Sequence, residues 1–195
     1  MHLNSGLLFE KYARPYFTDG VKVLEIGPEG DLGYKRFLPD SDIGWETADI
    51  TPSPRLTYIV KNEYAFPIPD NKFDIVLSGQ VIEHVKKPWV WIRELARVAR
   101  KGGRVITIAP ASWKYHEAPV DCWRVYAEGM KALYEEAGLD IELCVTESLE
   151  VTGYKRLLPG QSVRPGRGNF KLILRKLFGL PVMCAFDTIA IGIKK

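Results

Sequence analysis

The sequence predicts an α/β protein built on a doubly wound parallel sheet with helices on both faces. Three observations carry that expectation. Short apolar, β-branched runs alternate with segments of helical periodicity. The first such run ends in a glycine-punctuated loop, Val23-Leu24-Glu25-Ile26-Gly27-Pro28-Glu29-Gly30-Asp31-Leu32-Gly33. A carboxylate, Asp49, closes the second run 22 residues after Gly27. In sheets of this kind ligands sit beyond the carboxyl ends of the strands.

The elements follow in order. An amphipathic helix is expected over 6–17, with Leu7, Leu8, Tyr12 and Tyr16 along one side and a stop near Gly20. Strands are expected at 21–26, 45–50, 56–60 and 72–79, the last entered through a turn made by Pro67, Pro69, Asp70 and Asn71. Pro88 suits the first position of a helix whose face carries Trp89, Ile92, Leu95, Ala96 and Ala99, stopped by Lys101-Gly102-Gly103. A fifth strand at 104–110, a helix at 126–139, a strand from Ile141 and a final strand over the last ten residues complete the pattern. Residues 159–169 have loop chemistry, and 170–178 read as a short basic amphipathic helix.

Composition bounds the class. At 195 residues, 46% hydrophobic and 26% charged, the chain reads as one domain over 1–195 with an ordinary core. Three cysteines, Cys122, Cys144 and Cys184, show no CxxC spacing, so neither a disulfide framework nor a zinc knuckle is expected, and a reduced, cytoplasmic setting fits. No signal peptide is read at the start. The apolar stretch 178–193 is cut by Pro181 and Asp187 and is too short to span a bilayer.

The loop charges bear on the ligand. Asp49 lies where a nucleotide-binding sheet places a carboxylate on ribose hydroxyls. That leaves a dinucleotide, with its pyrophosphate on the loop, or a nucleoside without phosphate. The dinucleotide fingerprint GxGxxG has Glu29 at its second glycine, and a carboxylate about 4 Å from a phosphate costs on the order of a few kcal/mol. A sulfonium nucleoside reverses that sign. The acidic loop therefore favours S-adenosylmethionine over NAD.

The set "VLEIGPEG", "ADITPSP", "NEYAFPIPDNKFDIVLSGQVIEHV" and "ARVARKGGRVITIAP" resembles, in order and spacing, the class I S-adenosylmethionine-dependent methyltransferases of the small-molecule, type 11-like branch. The resemblance covers about 21–110. It implies a Rossmann-like sheet of about seven strands, mostly parallel with an antiparallel last strand, and S-adenosyl-L-methionine as cofactor. It places Glu25 and Gly27 in the strand-one motif, Asp49 on the ribose and Ile50 on the adenine. Asn62 and Glu63 fall near the adenine amino group, and Gln80 near the methionyl end. Glu29 and Asp31 replace family glycines, and Gly30, the remaining loop glycine expected at the cofactor, lies one place off. Glu25 could instead orient loop amides, and Asn62 could be a turn residue.

Methyl transfer is an in-line displacement at an activated carbon, so the protein aligns the nucleophile and removes its proton. His84, after the fourth strand, and His116, after the fifth, are the candidate bases; His84 could equally shape the cofactor pocket. The segment 111–125 is read as a substrate loop, since His116, Glu117, Asp121 and Arg124 cluster there with Trp113, Tyr115, Trp123 and Tyr126. Asp121 and Arg124 could also form a structural ion pair. The "H..P.D.WR" text is similar to a segment of methyltransferases from glycan and secondary-metabolite pathways. That likeness implies a hydroxyl acceptor on a sugar or related polar molecule, with His116 as base, Asp121 orienting it, and Trp113, Tyr115, Trp123 and Arg124 at the substrate. No metal is expected, because no compact carboxylate or histidine ligand set is visible.

Between Glu150 and Asp187 the chain carries seven basic residues and no acidic one. Residues 153–181 are therefore read as a basic insertion before the last strand, which could meet an anionic substrate such as a nucleotide-linked or lipid-linked sugar, a membrane surface or RNA, or simply form a solvated charged face. Nucleic acid is disfavoured by a net charge of only +3, and a homodimer is left open. The competing readings are an N- or C-methyltransferase on another small molecule, and a non-catalytic cofactor-binding partner subunit.

Overall fold

The computed structural model describes residues 3–30, 32–38, 42–117, 119–151, 153–162, 174, 175 and 177–195. Helix α1 (Leu3–Leu8) continues through a π-helical turn (Phe9–Ala13) and a 3-10 turn (Arg14–Tyr16). The strands are β1 (Lys22–Ile26), β2 (Gly44–Asp49), β3 (Tyr58–Ile59), β4 (Phe73–Gly79), β5 (Ala99–Pro110), β6 (Leu139–Glu147), β7 (Leu157–Pro159), β8 (Val182–Cys184) and β9 (Asp187–Lys194). Helix α2 (Pro88–Val98) precedes β5 and α3 (Ala127–Glu136) precedes β6.

Seven strands form one sheet in the order β3-β2-β1-β4-β5-β9-β6. The pairings from β3 to β5 are parallel, and β9 runs antiparallel between β5 and β6. The fold is the mostly parallel, doubly wound sheet with an antiparallel last strand that the sequence implied. Strand order reverses between β1 and β4, the place where such sheets open a crevice.

The alternation of side chains along each strand feeds two cores. Leu24, Val76 and Val105 face α2 and α3, packing on Trp91, Ile92, Leu95, Met130 and Tyr134. Val23, Ile75, Leu77, Ile106 and Ile191 face the N-terminal helical segment, meeting Leu8, Phe9, Ala13 and Tyr34. Buried on both sides, the central strands read as unbroken apolar runs.

Several local expectations are corrected. The first helical segment starts at residue 3, not 6; Leu8 is buried and Tyr12 and Tyr16 pack against the core as expected, and Asn4, Ser5, Phe9 and Ala13 are buried with them. In α2 the buried face runs through Pro88, Trp91, Ile92, Leu95 and Val98, while Trp89 is 43% exposed. Both spacings satisfy helical periodicity, and packing against the sheet selects the one through Trp91. That helix ends at Val98, before Lys101-Gly102-Gly103, because the chain already pairs at Ala99 with Phe73 of β4. The third strand shrinks to two residues.

The two ends of the basic insertion are tied together, since β7 and β8 form a parallel ladder. Ser112 Oγ fastens that ladder to the loop after β5, donating to the Gly160 carbonyl at 2.9 Å and accepting the Phe186 N–H at 2.8 Å. Arg164, Arg167, Lys171 and Lys176, and most of the helix expected over 170–178, lie outside the described residues. Among the described residues no helix is long and apolar enough to cross a membrane.

Candidate functional site

The tips of β1, β2 and β4 open onto a cavity of about 440 Å³. Ile26 and Gly27 close β1, Asp49 and Ile50 close β2, Gln80 and Val81 follow β4, and all six line it together with Glu63 and His84. Gly27 has φ +66°, and a Cβ there would sit 2.5 Å from Val81 Cγ2. Glycine is thus required both by backbone conformation and by close approach.

Asp49 folds back on its own chain, Oδ1 accepting the Thr51 N–H at 2.7 Å, and the residue lines the cavity. Ile50 is 49% exposed and also lines a neighbouring groove with Asn62 and Glu63. In Asn62, Oδ1 accepts the Tyr64 N–H at 2.9 Å, the turn alternative raised by the sequence.

Gln80 is the strained residue of the site. It adopts φ 60°, rare for a non-glycine side chain. Its Nε2 donates to Asp187 Oδ1 at 3.2 Å, while its buried Oε1 has no hydrogen-bond partner. Asp187, fully buried, also accepts from Asn4 Nδ2 at 2.9 Å.

Two of the loop carboxylates, Glu25 and Glu29, lie elsewhere than at the cavity wall. Glu25 is buried, its Oε1 accepting the Tyr34 N–H at 2.8 Å and its Oε2 the Trp45 indole N–H at 3.0 Å. Burial pushes this carboxyl up to about 7, against the pull of the two hydrogen bonds. It clamps the far end of the loop and does not line the cavity. Glu29 is exposed and pairs with Arg36 at 3.8 Å. Gly30 lines a second pocket with Lys35 and Arg55, and Asp31 lies outside the described residues. The acidic groups at the cavity wall are Asp49 and Glu63.

After Gln80 a 3-10 turn (Ile82–His84) carries Glu83 inward, 1% exposed. Both its carboxylate oxygens lack a hydrogen-bond partner. Burial pushes this carboxyl up to about 8, Asp187 and Asp121 adding to the shift and Arg124 opposing it.

The 111–125 loop docks on this turn. The Glu83 carbonyl accepts the Cys122 N–H at 2.7 Å, and Trp123 Nε1 donates to the Val85 carbonyl at 2.8 Å. His84 Nδ1 lies 2.5 Å from the Val120 carbonyl. This docking brings His84 and His116 together, ring centroids 5.0 Å apart and edge to face. His116 is further held by Asp121, whose Oδ2 accepts its backbone N–H at 2.7 Å and lies 3.4 Å from its Nδ1.

Asp121 and Arg124 form the ion pair. The guanidinium holds the Asp121 carboxyl down at about 2. All five Arg124 donors are directed within the loop: at both Asp121 oxygens and at the carbonyls of Trp113, Trp123 and Lys114. Arg124 is therefore placed as a loop brace, while Tyr115 and Trp123 are exposed at 69% and 38%.

Sequence reasoning missed Glu83, Val81, Phe66, Trp91 and Asp187. It also missed a compact ligand set: one ligand atom each from Glu83, His84 and His116 lie within 4.8 Å of one another. The text "IEH" held the signal for two of the three, but the third arrives only through loop docking.

A seven-stranded sheet of this order, with its cavity at the reversal and a carboxylate at the end of β2, defines a Rossmann-like fold with a nucleoside-sized site at its switch point. Comparison with known proteins agrees. Residues 43–107 match the family described as Methyltransferase domain. A 53-residue stretch is 47% identical to an uncharacterized methyltransferase of Mycobacteroides abscessus, covering 27% of this chain and 20% of that protein. A probable S-adenosylmethionine-dependent methyltransferase of Mycobacterium tuberculosis is 29% identical over 98 residues, 47% of this chain and 36% of that protein. The chain thus matches well under half the length of either relative. In fold it is similar to a SAM-dependent methyltransferase from Archaeoglobus fulgidus, with a TM-score of 0.66 at 17% identity over 97% of this chain and 92% of that one. A third of the chain thus matches a methyltransferase family model, and the whole chain is similar in fold to S-adenosylmethionine-dependent methyltransferases.

Proposed function

We propose that the chain transfers a methyl group from S-adenosylmethionine to a hydroxyl of a small polar acceptor, a sugar or a glycan or secondary-metabolite precursor. One observation carries the reading: the His84 and His116 rings stand together beside the wall that Gln80 and His84 share in the cavity.

The residues present fit the cofactor. Asp49 has a carboxylate oxygen for ribose hydroxyls, Ile50 an exposed apolar face for adenine, and Glu63 a second acidic group at the same wall. The partnerless Gln80 Oε1 suits an ammonium or hydroxyl donor, and Gly27 leaves the space that a Cβ would fill. The cofactor supplies an activated methyl on a positively charged sulfur. The protein's part is to align the acceptor oxygen and receive its proton, which passes to the His84–His116 pair. Asp121, 3.4 Å from His116 Nδ1 and bonded to its backbone N–H, holds that ring in place. The exposed faces of Tyr115 and Trp123 offer stacking surfaces to a sugar ring.

The test is calorimetry with S-adenosylmethionine, S-adenosylhomocysteine and NAD, followed by methyl transfer to a panel of sugars and nucleotide sugars. Homocysteine-form binding and turnover that drops at least tenfold in His84→Ala or His116→Ala are expected. Tight NAD binding without S-adenosylhomocysteine binding overturns the reading.

A further inference from the structure

We infer that Glu83, His84 and His116 form a binding site for a divalent first-row metal ion, next to the cavity wall that His84 lines. The three ligand atoms lie within 4.8 Å of one another. They make a two-histidine, one-carboxylate set, which suits Zn²⁺, Mn²⁺, Fe²⁺ or Co²⁺ and leaves coordination positions open.

An independent observation points to a ligand. Glu83 is 1% exposed and neither carboxylate oxygen has a hydrogen-bond partner. A buried carboxyl without partners is costly and is ordinarily paired or bound to metal. The neighbouring cation, Arg124, has its donors engaged by Asp121 and three carbonyls and gives Glu83 no hydrogen bond.

The surroundings of the histidines point the same way. A metal-ligating imidazole normally donates its other N–H to a carbonyl or carboxylate, which fixes the tautomer. His84 Nδ1 faces the Val120 carbonyl at 2.5 Å, which turns Nε2 into the free lone pair, and that atom is 3.8 Å from Glu83 Oε1. His116 Nδ1 faces the Asp121 carboxylate at 3.4 Å, so its Nε2 is the remaining donor atom. A contraction of the set by about 1 Å reaches ordinary metal-ligand spacing.

The role of the ion rests on the methyl-transfer reading; its binding does not. An acceptor hydroxyl coordinated through oxygen is made more acidic. With the ion bound, the two histidines are ligands and the ion takes over their part as base: the O–H bond breaks as the new C–O bond forms, the proton leaves to water, and the sulfur keeps the electrons of the broken S–C bond.

The experiment titrates chelator-treated protein with Co²⁺ alone, followed by visible d–d absorption and by calorimetry without cofactor. Saturation near one equivalent is expected, weakened at least tenfold in Glu83→Gln and in His116→Ala and unchanged in Cys122→Ala. Circular dichroism of each metal-free variant checks that it is folded. Absent saturation in the wild type, or binding by folded Glu83→Gln and His116→Ala that equals the wild type, overturns the proposal. Calorimetry with S-adenosylhomocysteine on the same samples separates this outcome from a failure of the cofactor reading.

Discussion

Gln80 Nε2 donates to Asp187 Oδ1 at 3.2 Å, joining residues 107 positions apart at the reactive edge of the sheet. Asp187 reaches that edge because β9 is antiparallel: its first residue pairs with Pro110, the last of β5. A parallel final strand would present its first residue at the opposite edge.

The first prediction follows from that contact. Asp187→Ala leaves the Gln80 amide without this acceptor and removes one support of a backbone held at φ 60°. Stability is expected to fall by about 1–3 kcal/mol, the range for orphaning a buried polar group. S-adenosylhomocysteine affinity falls with it, because Gln80 lines the cavity. Urea unfolding and calorimetry check both; a variant matching the wild type in the two measurements separates Asp187 from the site.

Glu25 yields a pH prediction. Its folded-state carboxyl titrates at about 7, above its ordinary value of 4.5. Between those values the folded protein keeps a proton that the unfolded chain releases, so stability falls as pH rises across that window and levels off above it. The shift corresponds to roughly 3 kcal/mol. Glu25→Gln removes the titration but offers one acceptor oxygen to two N–H donors. The variant is therefore expected to be less stable than the wild type near pH 5 by about 1 kcal/mol, with the gap closing or inverting by pH 8. Urea midpoints of both proteins from pH 5 to 8 test this, and a gap independent of pH contradicts it.

The sheet was legible because its strands are long apolar runs with turn chemistry between them. The loop charges were legible as charges but not as positions: nothing local says that Glu25 turns toward Tyr34 and Trp45, or that Glu29 faces Arg36. Trp89 and Trp91 are both compatible with the start of a helix, and only packing against the sheet selects Trp91. Glu83 stayed hidden for the same reason. Its burial depends on a 3-10 turn and on a loop that docks from about 40 residues beyond it, where Cys122 and Trp123 reach its carbonyl.

The last prediction concerns the brace under that loop. The Asp121 side chain is 2% exposed and that of Arg124 is 22% exposed. Arg124→Ala strands a nearly buried carboxylate and frees three carbonyls, at a cost of about 3 kcal/mol, the low end for breaking a buried pair because the guanidinium is partly solvated. With Asp121 held at about 2, the brace is at full strength above the ordinary aspartate value of 3.8 and fails as pH drops through 2. Arg124→Lys is not expected to rescue it, since an ammonium has three donors and no planar fork. Hydrogen exchange over 113–124 at neutral pH is the measurement: faster exchange in both variants, concentrated at His116 and Cys122, is the expected result. Because His116 is positioned through Asp121, turnover should fall with the protection while S-adenosylhomocysteine affinity holds. Unchanged exchange in Arg124→Ala, combined with lost affinity for an anionic acceptor, would instead make Arg124 a ligand of the substrate.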